Sequence, residues 1–481
     1  MFVGVDVGTG SLKAVMGFES GLQTITEKYL PSMFVQNDHI VKLFKQSVQL
    51  IFTRIAGLCD ENNESIDGIG LCGHGPSLLL MNRNGDTLTD IITWQNNSAV
   101  LESDKLEIIL DNYSKDGSSY EAKVFKLYSE KRGLFNDGVK VLYPKDYVIY
   151  LLTGRIVIDY STASTIAFFD TETRSFSTSS TGIPPGIFPE VVNSWEKAGS
   201  TVSSFSQKAG LKNGIPVIAG GIDAWCESLG AGAVEAGMLV DGSGTSTCIT
   251  CCRLDEESSL THVIPERSLD IETMSATGTS IAWLMTLLQI DLSEIAGMKP
   301  SSPVPIIYLP YLDGERSPVW DERALASFTG LSKTSSRNDI VRSVLQGISF
   351  GTRQCLELSG KGTANYGEGV RAVGGGSNNK ALLQLKSDIT GLKYCPMKEP
   401  DAAPLGAMIL AAYGCGNGTI SELVNRWVHI ASEIIPNETY KDVWNQLFDV
   451  YSNQFKTLKE TSHILYDIGY KLKKHEKRSI T

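Results

Sequence analysis

The sequence predicts a two-domain α/β protein in which one turn-forming device is used twice. The segments GVDVGTGSLKAVM (residues 4–16) and GMLVDGSGTSTCI (residues 237–249) share a layout. Each has an apolar, β-rich run, an aspartate, a turn of glycine, serine and threonine, and a second apolar run, which is the pattern of a β-hairpin with a backbone-rich tip. The two segments lie about half the chain apart. At 481 residues the chain is too long for one ordinary core.

The remaining elements follow in order. Apolar positions at Ile40, Val41, Leu43, Phe44, Val48, Ile51, Phe52 and Ile55 recur with a helical period over residues 38–58. IDGIGLCGHGPSLLLMN (66–82) reads as two strands around a Gly/Pro turn. VLYPKDYVIYLLTG (141–154) reads as a helix that starts near Pro144 and ends at Gly154. The glycine-dense junction at 215–237 carries a strand into Gly220-Gly221 and opens a short helix near Asp223, and the domain boundary is placed there. Residues 335–358 form a helix with a Ser336/Asp339 capping box. Residues 369–391 read as strand, glycine-rich turn and helix, and 401–416 as a small-residue helix suited to close packing.

Composition narrows the function. A hydrophobic content of 42% with 20% charged residues is that of an ordinary globular protein. The net charge of −11 argues against nucleic acid as a partner, because phosphate-backbone binding needs a basic face. The basic tail KLKKHEKR (471–478) reads as a solvated helix end. Nine dispersed cysteines without a CxxC pair indicate neither a zinc site nor a disulfide framework. They fit a reducing cytosol, as does a first strand with no charged leader before it. The longest apolar stretch, IAWLMTLLQI (281–290), is too short to span a bilayer, so no membrane partner is expected.

The two tips point to phosphate. Glycines let backbone N–H groups approach an anion closely, and Thr9, Ser11, Thr245 and Ser246 add hydroxyl donors. Two such tips suggest two domains closing on one phosphate chain from opposite sides, which makes phosphoryl transfer the leading chemistry. Asp6, just before the first tip, would repel phosphate unless a divalent cation lies between them, so it is either a Mg²⁺-side carboxylate or a turn former. Lys13 reads as a point charge for phosphate or as an exposed strand lysine.

Asp223 suits either an N-cap or a general base kept ionised by a helix N-terminus. Gly374-Gly375-Gly376 with Asn379 could hold a nucleotide's base and ribose or could be a tight strand–helix connection. His74 could bond a polyol or its own backbone. Trp94 could stack on a sugar or serve as a core aromatic.

Taken together, VDVGTGSLKA, GHG (73–75), PKDYVIYLLTG…DYSTAS, GGIDAWCESLGAG (220–232), DGSGTS (241–246), YLDGERSPVWDERALASFTGL and GGGSNNKALLQLKSDITG resemble the FGGY carbohydrate kinases, in particular their xylulokinase-like branch. The resemblance runs over nearly the whole chain. It implies two RNase H-like domains of the actin/hexokinase/Hsp70 type with a nucleotide cleft between them. The expected division is 1–229, with the sugar site and first phosphate hairpin, and 230–481, with the ATP site. The last forty or so residues are expected to pack back on the N-terminal domain.

The implied reaction is ATP- and Mg²⁺-dependent phosphorylation of a sugar or polyol hydroxyl, with domain closure excluding water and a xylulose-like ketose as the first candidate. By resemblance, Asp223 is the base and Asp6 stands on the metal side. Gly8, Thr9, Gly10, Ser11, Lys13, Gly244, Thr245 and Ser246 surround phosphate, and Gly375, Gly376 and Asn379 surround adenosine. His74, Gly75, Trp94 and Asn96 join Asp223 at the sugar. The sequence departs from the branch in one place. Where W-x-D-x-R is usual it reads Trp94-Gln95-Asn96-Asn97-Ser98, without the acid and the cation, and GHGPS stands for QMHG. Ribulose, erythritol and glycerol therefore remain alternative acceptors, a non-catalytic sugar sensor is a more distant alternative, and a homodimer is left open.

Overall fold

A computed structural model describes residues 1–29, 40–110, 113, 116–254, 260–297, 302–359 and 366–479, with side chains up to residue 472 in the last helix. The first two residues of the expected helix at 38–58, and most of the basic tail's side chains, lie outside the described residues. The chain forms two compact units. Unit 1 comprises Met1–Val234, Leu254–Leu269 and Asp401–Trp427, and unit 2 comprises Glu235–Arg253, Asp270–Pro400 and Val428–Thr481.

Unit 1 is built on β1 (Phe2–Val7), β2 (Ser11–Phe18), β3 (Gly21–Lys28), α1 (Ile40–Glu61), β4 (Gly68–Gly73), α2 (Tyr120–Glu130), α3 (Pro144–Thr153), β5 (Lys197–Ser200), β6 (Pro216–Ile222) and α4 (Asp223–Gly230). Its six-stranded sheet runs β5-β6-β4-β1-β2-β3. The short tip holds β1 and β2 antiparallel, with Asp6 opposite Lys13. β1, β4 and β6 are parallel and buried on both faces, as expected of nearly continuous apolar runs. One face is covered by α1 and α3, whose Phe44, Ile51, Phe52, Tyr147, Val148 and Leu152 join the strand residues in one core. α3 begins with Pro144 at its first turn and stops where Gly154 takes φ 74°.

Unit 2 repeats the plan with β7 (Leu239–Ser243), β8 (Thr247–Leu254), β9 (Arg267–Met274), α5 (Arg337–Ser359), β10 (Val370–Val373), α6 (Lys380–Thr390) and β11 (Tyr394–Pro396). Its sheet runs β9-β8-β7-β10-β11. As in unit 1, the first strand makes an antiparallel hairpin with the second and lies parallel to the fourth, here with Gly242 opposite Val373. The repetition read from two short segments therefore extends to whole sheets.

Two later helices decide where chain segments belong. α7 (Ala402–Gly414) is apolar all round, and every residue from Ala402 to Ala412 is buried. Such a helix must be enclosed on all sides. It lies in unit 1 against β1, β4 and α4. Besides Leu254–Leu269, the segment of the second half that belongs to unit 1 is Asp401–Trp427, and not the last forty residues. α8 (Lys441–Ser479) is apolar on one side only. Its Trp444, Phe448, Tyr451 and Phe455 pack with Phe350 in the core of unit 2.

α4 and α7 cross at backbone contact. A Cβ on Gly230 would lie 1.9 Å from the carbonyl oxygen of Ala402, and one on Gly406 would lie 1.9 Å from that of Cys226. Glycine is required at both positions by close approach. Among the described residues, no helix is long and apolar enough to cross a membrane.

Candidate active site

In unit 1 the register brings three strand ends side by side. Val7 of β1 pairs with Gly73 of β4, and Gly73 with Ile222 of β6. The residues that follow are the Gly8-Thr9-Gly10 tip, His74-Gly75 and Asp223. Carboxyl ends of parallel strands are where open α/β sheets build their ligand sites. Segments far apart in sequence converge here because the sheet order makes β4 the neighbour of both β1 and β6.

Asp223 is the first residue of α4, and the N-cap position falls to Ile222, which makes no side-chain cap bond. The Asp223 Oδ1 accepts the N–H of Ala224 at 2.8 Å. Burial raises its carboxyl to about 6, against the pull of that backbone N–H. The group is ionised at neutral pH and close enough to it to take a proton, as a general base must be.

Asp6 is pushed further, to about 8, first by burial and then by the charge of Asp223. Its one side-chain hydrogen bond among the described residues comes from Cys72 Sγ at 3.6 Å. Lys13, opposite it in the hairpin, bonds its ammonium to Asp401. Asp401 is a partner that no sequence signal indicated.

The expected sugar-side residues are tied together around Ser77. His74 Nδ1 lies 2.7 Å from Ser77 Oγ, which also accepts the backbone N–H of Trp94 at 2.9 Å. The Trp94 indole N–H donates to Thr9 Oγ1, also at 2.9 Å. Trp94 is thus an arm bonded to the Gly8–Gly10 tip of its own unit. Lys123 of α2 is 2% exposed and donates to the carbonyl oxygens of Pro76 at 2.6 Å and Thr93 at 3.1 Å. Burial lowers the Lys123 ammonium to about 8, and burial together with Lys123 lowers His74 to about 4.

Asn96 stands apart from this network. It is exposed, and its Oδ1 accepts the N–H of Ser98 in a local turn. Lys126 donates to the carbonyl and hydroxyl oxygens of Ser98 at 2.7 and 3.1 Å. Ser77 and Lys123 were missed because an unremarkable serine and a helical lysine carry no signal until the fold buries them.

Unit 2 uses its hairpin differently. Asp241, the counterpart of Asp6, is bonded by Lys386 of α6 at 2.6 Å. Lys386 also donates to Ser243 Oγ at 2.8 Å, and both lysine and aspartate are 1% exposed. Ser243 donates to Asp241 Oδ1 at 2.5 Å and contacts Thr247, which donates to Thr277.

Above this buried cluster, the Gly244-Thr245 tip is exposed and Ser246 is half-buried. Gly374 takes φ 74° at the end of β10, Gly375 is exposed and Gly376 is half-buried. Asn379 is the N-cap of the following helix: Oδ1 accepts the N–H of Leu382 at 3.1 Å. Its Nδ2 is buried without a partner among the described residues, so it has a donor to spare for a ligand.

The two hairpins thus treat their aspartates oppositely, one neutralised by a buried lysine and the other left beside a second carboxylate. Residues 1–230 match the N-terminal domain and residues 242–415 the C-terminal domain of the FGGY family of carbohydrate kinases, and the chain belongs to that family.

Among its relatives is the xylulose kinase of Lactococcus lactis, 25% identical over 97% of this chain and 99% of that one. The xylulose kinase of Bacillus subtilis is 26% identical over 96% of this chain and 98% of that one. In fold, the chain is similar to the ligand-bound xylulose kinase of Lactobacillus acidophilus, with TM-score 0.84, 22% identity, and 95% and 98% of the two chains covered.

Proposed function

We propose that this protein transfers the γ-phosphoryl group of ATP to a hydroxyl of a small ketose, xylulose being the first candidate. The observation that carries the reading is the convergence of Asp223, Asp6, His74 and the Gly8–Gly10 tip at adjacent carboxyl ends of β6, β1 and β4. Near-full-length likeness to xylulose kinases supports the choice of acceptor.

In this reading the acceptor hydroxyl lies beside Asp223. Its oxygen bonds to the γ-phosphorus as the P–O bond to ADP breaks, and its proton passes to the Asp223 carboxylate. Phosphoryl transfer asks mainly for positioning and charge neutralisation, so one such base suffices. The tip from Gly8 to Ser11 and the tip from Gly244 to Ser246 supply phosphate donors, with Lys13 near the first. Gly375, Gly376 and Asn379 serve the adenosine, and His74, Gly75 and Trp94 the sugar.

Asp6 fits a divalent cation on the chemistry of its surroundings: it is a half-buried carboxylate beside Asp223, without a bonded cation of its own among the described residues. No group of three or more His, Cys, Asp or Glu among the described residues could hold a metal ion alone. Asp6 would be the residue that holds Mg²⁺, and the ion would supply neutralisation of phosphate charge.

The test is ADP release measured across C3–C7 sugars and polyols. Xylulose is expected to give the highest kcat/KM, and Asp223→Ala to abolish turnover with ATP binding retained. Asn96 and Ser98 are both neutral and exposed, which favours ribulose, erythritol or glycerol as second candidates in the same screen. If no acceptor stimulates ADP release, the reading is wrong.

A further inference from the structure

We propose that Ser77 and Lys123 are positioning residues that fix His74 as the neutral imidazole protonated at Nε2, so that it meets its ligand as a hydrogen-bond donor. The proposal rests on the reading above only for the identity of that ligand, a sugar oxygen.

The argument starts from one hydroxyl proton. Ser77 is 0% exposed and its Oγ has two neighbours, the Trp94 N–H at 2.9 Å and His74 Nδ1 at 2.7 Å. The Trp94 N–H can only donate, so it takes a lone pair of Oγ. If Nδ1 also carried a proton, two donors would face Ser77. The serine's own proton would then be buried with no acceptor among the described residues, at a cost of about 1–3 kcal/mol. The pattern closes when Ser77 donates to Nδ1, which leaves the ring proton on Nε2. Nε2 makes no hydrogen bond among the described residues.

Lys123 acts on the same ring in two ways. Its ammonium bonds the carbonyls of Pro76 and Thr93, the residues immediately before Ser77 and Trp94. It therefore staples together the two loops whose contact is the Trp94 N–Ser77 Oγ bond. Its charge, with burial, opposes a second proton on the imidazole and holds His74 near 4. An uncharged Nε2–H selects an oxygen lone pair, such as a ketose carbonyl or a hydroxyl, and cannot accept the proton of the reacting hydroxyl. Acceptance of that proton is left to Asp223.

The test is ¹⁵N NMR of histidine-labelled full-length protein near pH 7 without substrate, the His74 signals being assigned by their loss in His74→Asn. A pyridine-like Nδ1 and a pyrrole-like Nε2 are expected in the wild type. Ser77→Ala should shift the signals toward the other tautomer and raise the acceptor KM about tenfold with kcat little changed, and Ser77→Thr should restore both. Lys123→Arg should retain the wild-type tautomer, whereas Lys123→Met should shift the ring toward a mixture.

A protonated Nδ1 or an imidazolium in the wild type would overturn the proposal, as would a Ser77→Ala spectrum unchanged from it. The spectrum is read without turnover, so the two readings fail separately. An inactive protein with the expected tautomer removes the kinase reading alone, and an active one with Nδ1–H removes this proposal alone.

Discussion

Trp94 and Thr9 are joined by a hydrogen bond of 2.9 Å from the indole N–H to the threonine hydroxyl oxygen. The bond couples the loop expected at the sugar to the tip expected at phosphate, both in unit 1. Trp94→Phe keeps an aromatic ring and removes the donor, and Thr9→Val removes the acceptor. Each is expected to lower kcat/KM several-fold, and the double variant to lose less than the sum. A double-mutant cycle on kcat/KM should return a coupling of about 1 kcal/mol. Additive losses would show that the bond does not link the two loops.

The unlike surroundings of Asp6 and Asp241 predict opposite stability effects. Lys386→Met would leave Asp241 charged and buried without its cation, and should destabilise by roughly 3–5 kcal/mol in chemical denaturation. Asp6→Asn removes a carboxyl whose burial is opposed by Asp223 and should raise Tm in metal-free buffer while abolishing turnover. A fall in Tm for Asp6→Asn would contradict this account of the site.

Gly406 is expected to be intolerant of any side chain. A Cβ there would strike the carbonyl of Cys226 on the helix that begins with Asp223. Gly406→Ala should therefore destabilise by about 3 kcal/mol or more and reduce kcat as α4 shifts. Gly57→Ala is the control, because Gly57 lies exposed inside α1 with nothing within 4 Å of its Cβ position. That change should raise stability by about 0.5–1 kcal/mol. Thermal unfolding of both variants decides the matter.

Glu315 predicts a pH-dependent stability. Its Oε1 accepts the N–H groups of Ser275 and Arg316 at 2.6 and 2.8 Å, while Oε2 is buried without a partner among the described residues. Burial raises the carboxyl from 4.5 to about 7 despite those bonds. The folded chain therefore holds this proton more tightly than the unfolded one. The stabilisation is fully present below about pH 4.5 and is lost as the pH rises through about 7. Glu315→Gln should match the wild type near pH 5 and be more stable near pH 8, by up to about 3 kcal/mol. Parallel stability curves across that range would refute the assignment.

Both hairpins, the helix from Pro144 to Gly154, the capping box at Ser336 and Asp339, and the glycine turn before Asn379 are legible in the residues alone. These are local features: a period, a cap or a positive-φ glycine is written in a few consecutive residues, and the structure places each where its pattern lies. The order of motifs likewise sufficed to place the chain in its family.

Tertiary structure alone decided three things. It placed 401–427 in unit 1, because a helix apolar on every side needs enclosure, which β1, β4 and α4 supply. It paired Lys13 with Asp401 and Lys386 with Asp241, contacts 388 and 145 residues apart in sequence. It also buried Lys123 and Ser77 beneath His74. Which lysine neutralises which carboxylate depends on distances set by sheet order and desolvation set by packing, and neither quantity is carried by the identity of a residue or its neighbours in the chain.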